Sequence, residues 1–534
     1  MDFNLLNYKY PSQRMVTIGN RGMVATSQYL AANAGLDIIK KGGNAIDAAI
    51  ATAACLTVLE PTSNGIGGDA FALVWYEDKL YGLNSSGFAP ENLSLERLEQ
   101  DGIKEIPKYG WVPVTVPGVP KAWAQLSKRF GKLPLKEVLK PAIDYAINGF
   151  AVSPTVAFYW ERAYETYKKE LKGEEFKYWF ETFTREGKIP KAGDIWRLPD
   201  HGRTLMEIAE TEAESFYKGD LADKIDAFSR ATGGYIRKRD LEDYEAKWVE
   251  PISVNYRGYD IWEIPPNGQG IVALLALNIL KEFEFTTKED PLTYHRQIEA
   301  IKLAFADAKE YVTEEERMKV KVKDLLSDAY GKERAKLIGK EAIIPSCGRP
   351  DSGGTVYLAT ADGEGNMVSF IQSNYMGFGS GLVVPGTGIA LHNRGHNFTM
   401  DPKHVNCVEP RKRPYHTIIP SFITKDKKAV GPFGVMGAFM QPQGHVQVAM
   451  NLIDFKLNPQ EALDAHRWMW EEGKRVYIEP DFPNYIAKEL EARGHEIQSL
   501  IRRGVFGRGQ IIIKEGDALI GGTEKRADST VAAW

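Results

Sequence analysis

The hydrophobic pattern opens as helix and then turns to strand. From Gln28 to Lys41 apolar residues recur at helical spacing, and Gly42-Gly43 stops the run. Asn44 is placed as an N-cap with Asp47 three residues on. The helix they open, through Leu59, is Ala-rich on all sides, which predicts burial. After the glycine-rich turn Pro61 to Asp69, Ala70 to Tyr76 and Leu80 to Leu83 read as strands around Glu77-Asp78-Lys79. Charged helical segments follow at Lys121 to Phe130, Leu135 to Asn148 and the aromatic-rich Phe158 to Tyr178. A second glycine turn, Gly233-Gly234, precedes strands near Ile252 to Tyr256 and Tyr259 to Glu263. Pro265-Pro266-Asn267-Gly268-Gln269-Gly270 then introduces an apolar helix, Ile271 to Leu280. Lys319 to Pro350 ends in polar, turn-forming residues and is the best candidate for a flexible region or chain break. Beyond it, Thr355 to Asp362 and Met367 to Tyr375 form a predicted hairpin around Gly363-Glu364-Gly365-Asn366.

Composition narrows the function classes. The 534 residues, 43% of them hydrophobic, suffice for an extensive core in one large or two intimate domains. A net charge of −4 carries no electrostatic footprint for nucleic acid or an anionic membrane, so a small-molecule partner is expected. Cys55, Cys347 and Cys407 lack paired metal-ligand spacing, which points away from disulfides and toward a reducing compartment. The N-terminus lacks a secretory pattern, and Ala45 to Leu59 is too short for a bilayer and carries Asp47. A cytoplasmic protein is therefore expected.

The chemistry centres on Gly353-Gly354-Thr355. A threonine hydroxyl is a poor nucleophile until a base takes its proton, and one such base is its own α-amine, freed when the preceding peptide bond is cut. That amine titrates near pH 8, which leaves a useful neutral fraction at cytoplasmic pH. The two glycines permit the backbone in which Thr355 attacks the Gly354 carbonyl. Other chemistries fit less well. The glycines at Gly65 to Gly68 lack a phosphate-loop lysine and precede a strand. His392 and His396 have helical spacing, but Gly395 breaks that helix and Asn393 stands where a metalloprotease needs glutamate; His404 adds nothing to the pattern. His416 and His445 read as pocket-shaping or core residues, because a self-cleaving threonine needs no histidine base.

Several words in order resemble the γ-glutamyltranspeptidase family of N-terminal nucleophile hydrolases. They are Lys41-Gly42-Gly43-Asn44-Ala45-Ile46-Asp47, Gly65-Ile66-Gly67-Gly68-Asp69, Val116-Pro117-Gly118, Pro265 to Gly270 and the Thr355 hairpin. The resemblance implies an α+β fold, a four-layer αββα sandwich made from a self-cleaving precursor. Residues 1–354 would form the large subunit and 355–534 the small one, intertwined in one fold, with any dimer built from processed heterodimers. It implies Thr355 as nucleophile and Ser373 as the hydroxyl that hydrogen-bonds it. Cleavage would fall between Gly354 and Thr355, and the backbone of Met440 and Gln441 would hold the oxyanion. It implies neither metal nor organic cofactor.

At the substrate positions the chain departs from the transpeptidases. Ser86 stands where an arginine clamps the γ-glutamyl α-carboxylate, and Asn397 replaces the acid that holds the α-amine. Arg394 replaces a glutamine, Tyr375 an asparagine, and His416-Thr417 a pair of serines. Asn374-Tyr375-Met376-Gly377-Phe378-Gly379, His392-Asn393-Arg394-Gly395 and Met440-Gln441-Pro442-Gln443 resemble the cephalosporin-acylase-like and oxamate-amidohydrolase-like branch instead. The expectation is an amide hydrolase or acyltransferase working through an acyl-enzyme on Thr355. A true γ-glutamyltranspeptidase (glutathione hydrolase) and a catalytically dead binding or scaffold homologue remain as alternatives.

Overall fold

Asn44 caps the buried helix Ala45–Leu59 as its sequence predicts: its side chain accepts from the Ile46 and Asp47 amides, and Asp47 returns a bond to the Asn44 amide. Asp47 also takes the amides of Lys132 and Leu133, tying the next helical layer to this helix start. The preceding helix, Tyr29–Lys40, packs so closely that a Cβ on Gly35 would lie 2.1 Å from Thr52 Oγ1. The computed structural model describes residues 14–345, 354–501 and 504–534. Gly353, Cys347 and the polar end of the Lys319 to Pro350 run, residues 346–350, lie outside the described residues, as does most of the N-terminal segment.

Two seven-stranded sheets make the middle of the fold. One runs in the order Thr530–Ala533, Gly22–Thr26, Gly354–Asp362, Met367–Tyr375, Asp69–Tyr76, Lys79–Ser85, Lys247–Val249. The other runs Thr17–Gly19, Ala518–Thr523, Arg508–Glu515, Lys428–Met436, Ser421–Lys425, Tyr259–Glu263, Ile252–Tyr256. Their facing sides meet in an apolar layer that includes Phe71, Tyr357 and Ile371 from the first and Phe422, Met436 and Ile512 from the second. The outer face of the first sheet (Val356, Leu358, Phe370) packs under the early helices, and that of the second (Ile261, Ile423, Val435) under Gly270–Leu280, Pro291–Tyr311 and Met440–Ile453. Helices, sheet, sheet and helices therefore form four layers, an αββα sandwich.

Each sheet interleaves strands from both sides of residue 354, so a cut there leaves the two pieces hydrogen-bonded along several ladders. One predicted element is divided. Phe158 to Tyr178 is the end of the helix Pro154–Glu170, a break through Leu171 to Gly173, a short 3₁₀ turn Glu174–Phe176, and the start of Lys177–Phe183. Leu171 is extended at the helix end and Gly173 leads into the turn, so the aromatic stripe wraps a corner.

Under the helical layer, His201 sits fully buried between Thr57 Oγ1 at 3.0 Å and the Gly388 carbonyl at 3.3 Å, and burial pushes its imidazole down to about 4. Unfolded, it titrates near 6.5. The unfolded chain thus binds the proton first, and the His201 contribution is intact above about pH 6.5 and lost as pH falls toward 4. Compared with wild type, His201→Gln is expected to flatten the acid-side fall of urea stability by about 3 kcal/mol across that window. Equal slopes in both proteins would remove this titration from the acid response.

Candidate active site

Thr355 enters the first sheet at an irregularity. Gly354 pairs with Tyr375 and Val356 with Gln372, so Ser373 and Asn374 together stand opposite the single residue Thr355, and the bulge lies on the Met367–Tyr375 strand beside it. Its Oγ1 lies 3.2 Å from Ser373 Oγ on the neighbouring strand, and the residue is 1% exposed. The Tyr375 amide, turned back by a φ of 72°, donates to Ser373 Oγ at 2.8 Å and fixes the serine rotamer.

The row continues across the sheet. Ser373 pairs in register with Asp69, and Ser86 follows one step beyond the Ala70–Ser85 pair. Paired residues on adjacent antiparallel strands share a face, so Thr355, Ser373 and Asp69 all address the layer between the sheets. In the sequence Asp69 only ends the glycine-rich turn Pro61 to Asp69. It is in fact the hub of the site.

Arg394 donates to both Asp69 oxygens, Nε at 2.9 Å and Nη2 at 3.1 Å, and its Nη1 donates to Thr417 Oγ1 at 2.6 Å. The guanidinium also lies 4.5 Å from the Tyr375 ring centre. His416 accepts the Ile418 amide at Nδ1, so its Nε2–H donates to Asp69 at 2.8 Å. His392 accepts the Arg394 amide at Nδ1 and faces the Thr115 carbonyl with Nε2. Burial pushes the Asp69 carboxyl up, but Arg394 and His416 prevail and hold it well below the usual carboxylate range. Burial and the Arg394 cation push His416 down to about 4, and burial does the same to His392. Both imidazoles are neutral at pH 7, leaving one cation against one anion.

The remaining positions from the resemblance are brought to the same end of the sandwich with their groups engaged. The Ser86 hydroxyl donates to Asn84, while the Ser86 carbonyl receives Arg413 and Tyr244. Asn397 donates to the Tyr415 carbonyl. The structure departs from the implied oxyanion donors. The Met440 and Gln441 amides bond the Gly437 and Ala438 carbonyls at 2.9 and 3.1 Å, closing the turn into the helix Met440–Ile453. That helix has no side-chain cap, so the turn itself satisfies its first amides, in the strained geometry of Gly437 (φ 142°) and Ala438 (φ 49°).

Two further polar residues were overlooked, both inside Pro265 to Gly270. Gln269 Nε2 joins the Thr417 and Ala438 carbonyls, and Asn267 reaches Ser86 and the Pro414 carbonyl. The available signal was a pair of amides kept among glycines and prolines. His445 belongs to a separate core pair with Glu263, at 2.7 Å. His396 faces the Ile106 carbonyl and His404 accepts the Asn406 amide, so these rings do not converge with His392.

An αββα sandwich of two stacked antiparallel sheets is the fold of the N-terminal nucleophile hydrolases. The chain belongs to the γ-glutamyltranspeptidase family, whose model (Gamma-glutamyltranspeptidase) matches residues 31–534, and is an amide hydrolase or acyltransferase of that type. It is 37% identical to the glutathione hydrolase-like YwrD proenzyme of Bacillus subtilis over 90% of this chain and 92% of that one. It is 30% identical to the oxamate amidohydrolase proenzyme of Klebsiella pneumoniae, over 97% and 99%. Among solved structures it is similar to a cephalosporin acylase from Bacillus halodurans, with 60% identity and a TM-score of 0.98 over 100% of this chain and 99% of that one. No helix among the described residues is long and apolar enough to cross a membrane.

Proposed function

We propose that Thr355 is both the site of self-cleavage and the nucleophile of an amide hydrolase whose acyl group is not γ-glutamyl. The contact between Thr355 Oγ1 and Ser373 Oγ carries this reading. In maturation the Thr355 hydroxyl attacks the Gly354 carbonyl, the acyl chain shifts from nitrogen to oxygen, and water hydrolyses the ester. Residues 1–354 and 355–534 result, with a free α-amine on Thr355. In turnover that amine takes the hydroxyl proton as Oγ1 attacks the substrate amide. The leaving amine departs protonated, and water or an acceptor amine discharges the acyl-enzyme. His416 and His445 are bound to Asp69 and Glu263, which supports an α-amine base over an imidazole one.

The names of the similar proteins, proenzymes of an amidohydrolase and a glutathione hydrolase-like protein, accord with processing and amide chemistry. Against a γ-glutamyl group stand the buried Ser86 at the clamp position and the amide of Asn397 at the amine position. Buried free thiols at Cys55 and Cys407 accord with a cytoplasmic setting. A panel of γ-glutamyl, oxamyl and glutaryl anilides tests the assignment. The γ-glutamyl compound is expected to be the poorest by at least tenfold, the loss of about one charge-assisted pair. If it is turned over fastest, the chain is a transpeptidase after all.

A further inference from the structure

We propose that Asp69 is the specificity-determining positioning residue of this site: by pairing Arg394 within the protein it makes the acyl pocket charge-neutral, selecting amides of uncharged acyl groups. The inference rests on the amide-hydrolase reading above and extends it to a substrate class.

Asp69 and Arg394 are both fully buried and joined by two hydrogen bonds, side-on. The pair lies in the row that holds the nucleophile, because Asp69 is the register partner of Ser373 and Arg394 stacks on Tyr375, the partner of Gly354. The other titratable groups facing the pair, His392 and His416, are neutral, and Thr417 contributes only a hydroxyl. A carboxylate or ammonium on the acyl chain would be stripped of water there and find no unbalanced partner. An uncharged acyl chain loses nothing comparable. Asp69 touches neither Thr355 Oγ1 nor, on this reading, the scissile amide; it acts by holding Arg394 and His416.

Valeryl and glutaryl anilides, alike in length and different in terminal charge, give the test. Wild type is expected to favour valeryl by at least tenfold in kcat/KM. In Asp69→Asn the counter-charge is gone, and the ratio is expected to move at least tenfold toward glutaryl, mainly through KM; Asp69→Glu, which keeps the anion, is expected to hold the wild-type ratio even where both rates fall. A purely structural role for Asp69 would lower both activities together and leave the ratio unmoved, which overturns the proposal. A wild-type preference for glutaryl overturns it whether or not Asp69→Asn folds. If wild type hydrolyses no amide, the hydrolase reading fails by itself. The charge selectivity is then read as calorimetric binding of valeryl and glutaryl methylamides, where an equal or glutaryl-favouring affinity of wild type again overturns it.

Discussion

Thr355→Ala is expected to leave a single chain of 59.7 kDa where wild type separates, under denaturing conditions, into fragments ending at Gly354 and beginning at Thr355. Both outcomes follow from one oxygen. Without Oγ1 nothing attacks the Gly354 carbonyl, so the α-amine is never released, and the substrate amide meets neither nucleophile nor base. Because the two groups act as a unit, amidase activity is expected to fall by about 10⁶-fold, comparable to removing the nucleophile of a serine protease. Thr355→Ser keeps the hydroxyl and is expected to process and turn over. Wild type should not fall apart on cutting, since Gly354–Asp362 lies between Gly22–Thr26 of one piece and Met367–Tyr375 of the other. Size-exclusion chromatography in native buffer should therefore show one species for both proteins. A wild-type chain that stays whole, with Thr355→Ala indistinguishable from it, would favour the catalytically dead reading.

The legible parts of this fold are those whose signals are local. Asn44 with Asp47, the Gly42-Gly43 stop and the turn at Glu77-Asp78 (φ 49° and 57°) are written in neighbouring residues, and the elements they bound are found where expected. The Thr355 hairpin was legible for the same reason. What single-chain periodicity does not carry is pairing between distant segments. Nothing near Asp69 announces that its carboxylate meets Arg394, 325 positions away, or that His416 completes the group. An arginine met in sequence gives no sign of its counter-ion, and for Arg394 the fold supplies Asp69 as the anion. Met440 and Gln441 show a related limit. Two amides after a glycine turn fit an oxyanion site by position, whereas their bonds to Gly437 and Ala438 depend on a strained turn that only coordinates reveal.

A second large effect is expected far from Thr355, where the two prospective subunits share a buried polar cluster. Lys302 Nζ lies 2.7 Å from Glu299 Oε1, both wholly buried on the helix Pro291–Tyr311. Glu299 Oε2 takes the Ile343 amide, Lys302 donates to the Ile343 carbonyl, and His295 bonds His495, from the later piece, at 2.8 Å. His295, Glu299 and His495 bring three ligand atoms within 4.8 Å of one another, but the Lys302 ammonium already sits on the carboxylate. Lys302→Met strands that carboxylate without a cation and is expected to cost 3–5 kcal/mol, roughly, in urea unfolding. Adding Glu299→Gln, which removes the charge and keeps an acceptor for Ile343, is expected to recover most of it, so the pair is strongly coupled. The loss should also depend on pH. Burial already holds the Glu299 carboxyl above its ordinary value, and the Lys302 cation is the main group opposing that rise. With Lys302 gone, Glu299 is expected to take up a proton as pH falls from 7 to 5, so that no charge is left stranded. The Lys302→Met penalty is therefore expected to shrink toward pH 5, and a penalty that stays constant or grows there would mean that Glu299 is not the group that titrates.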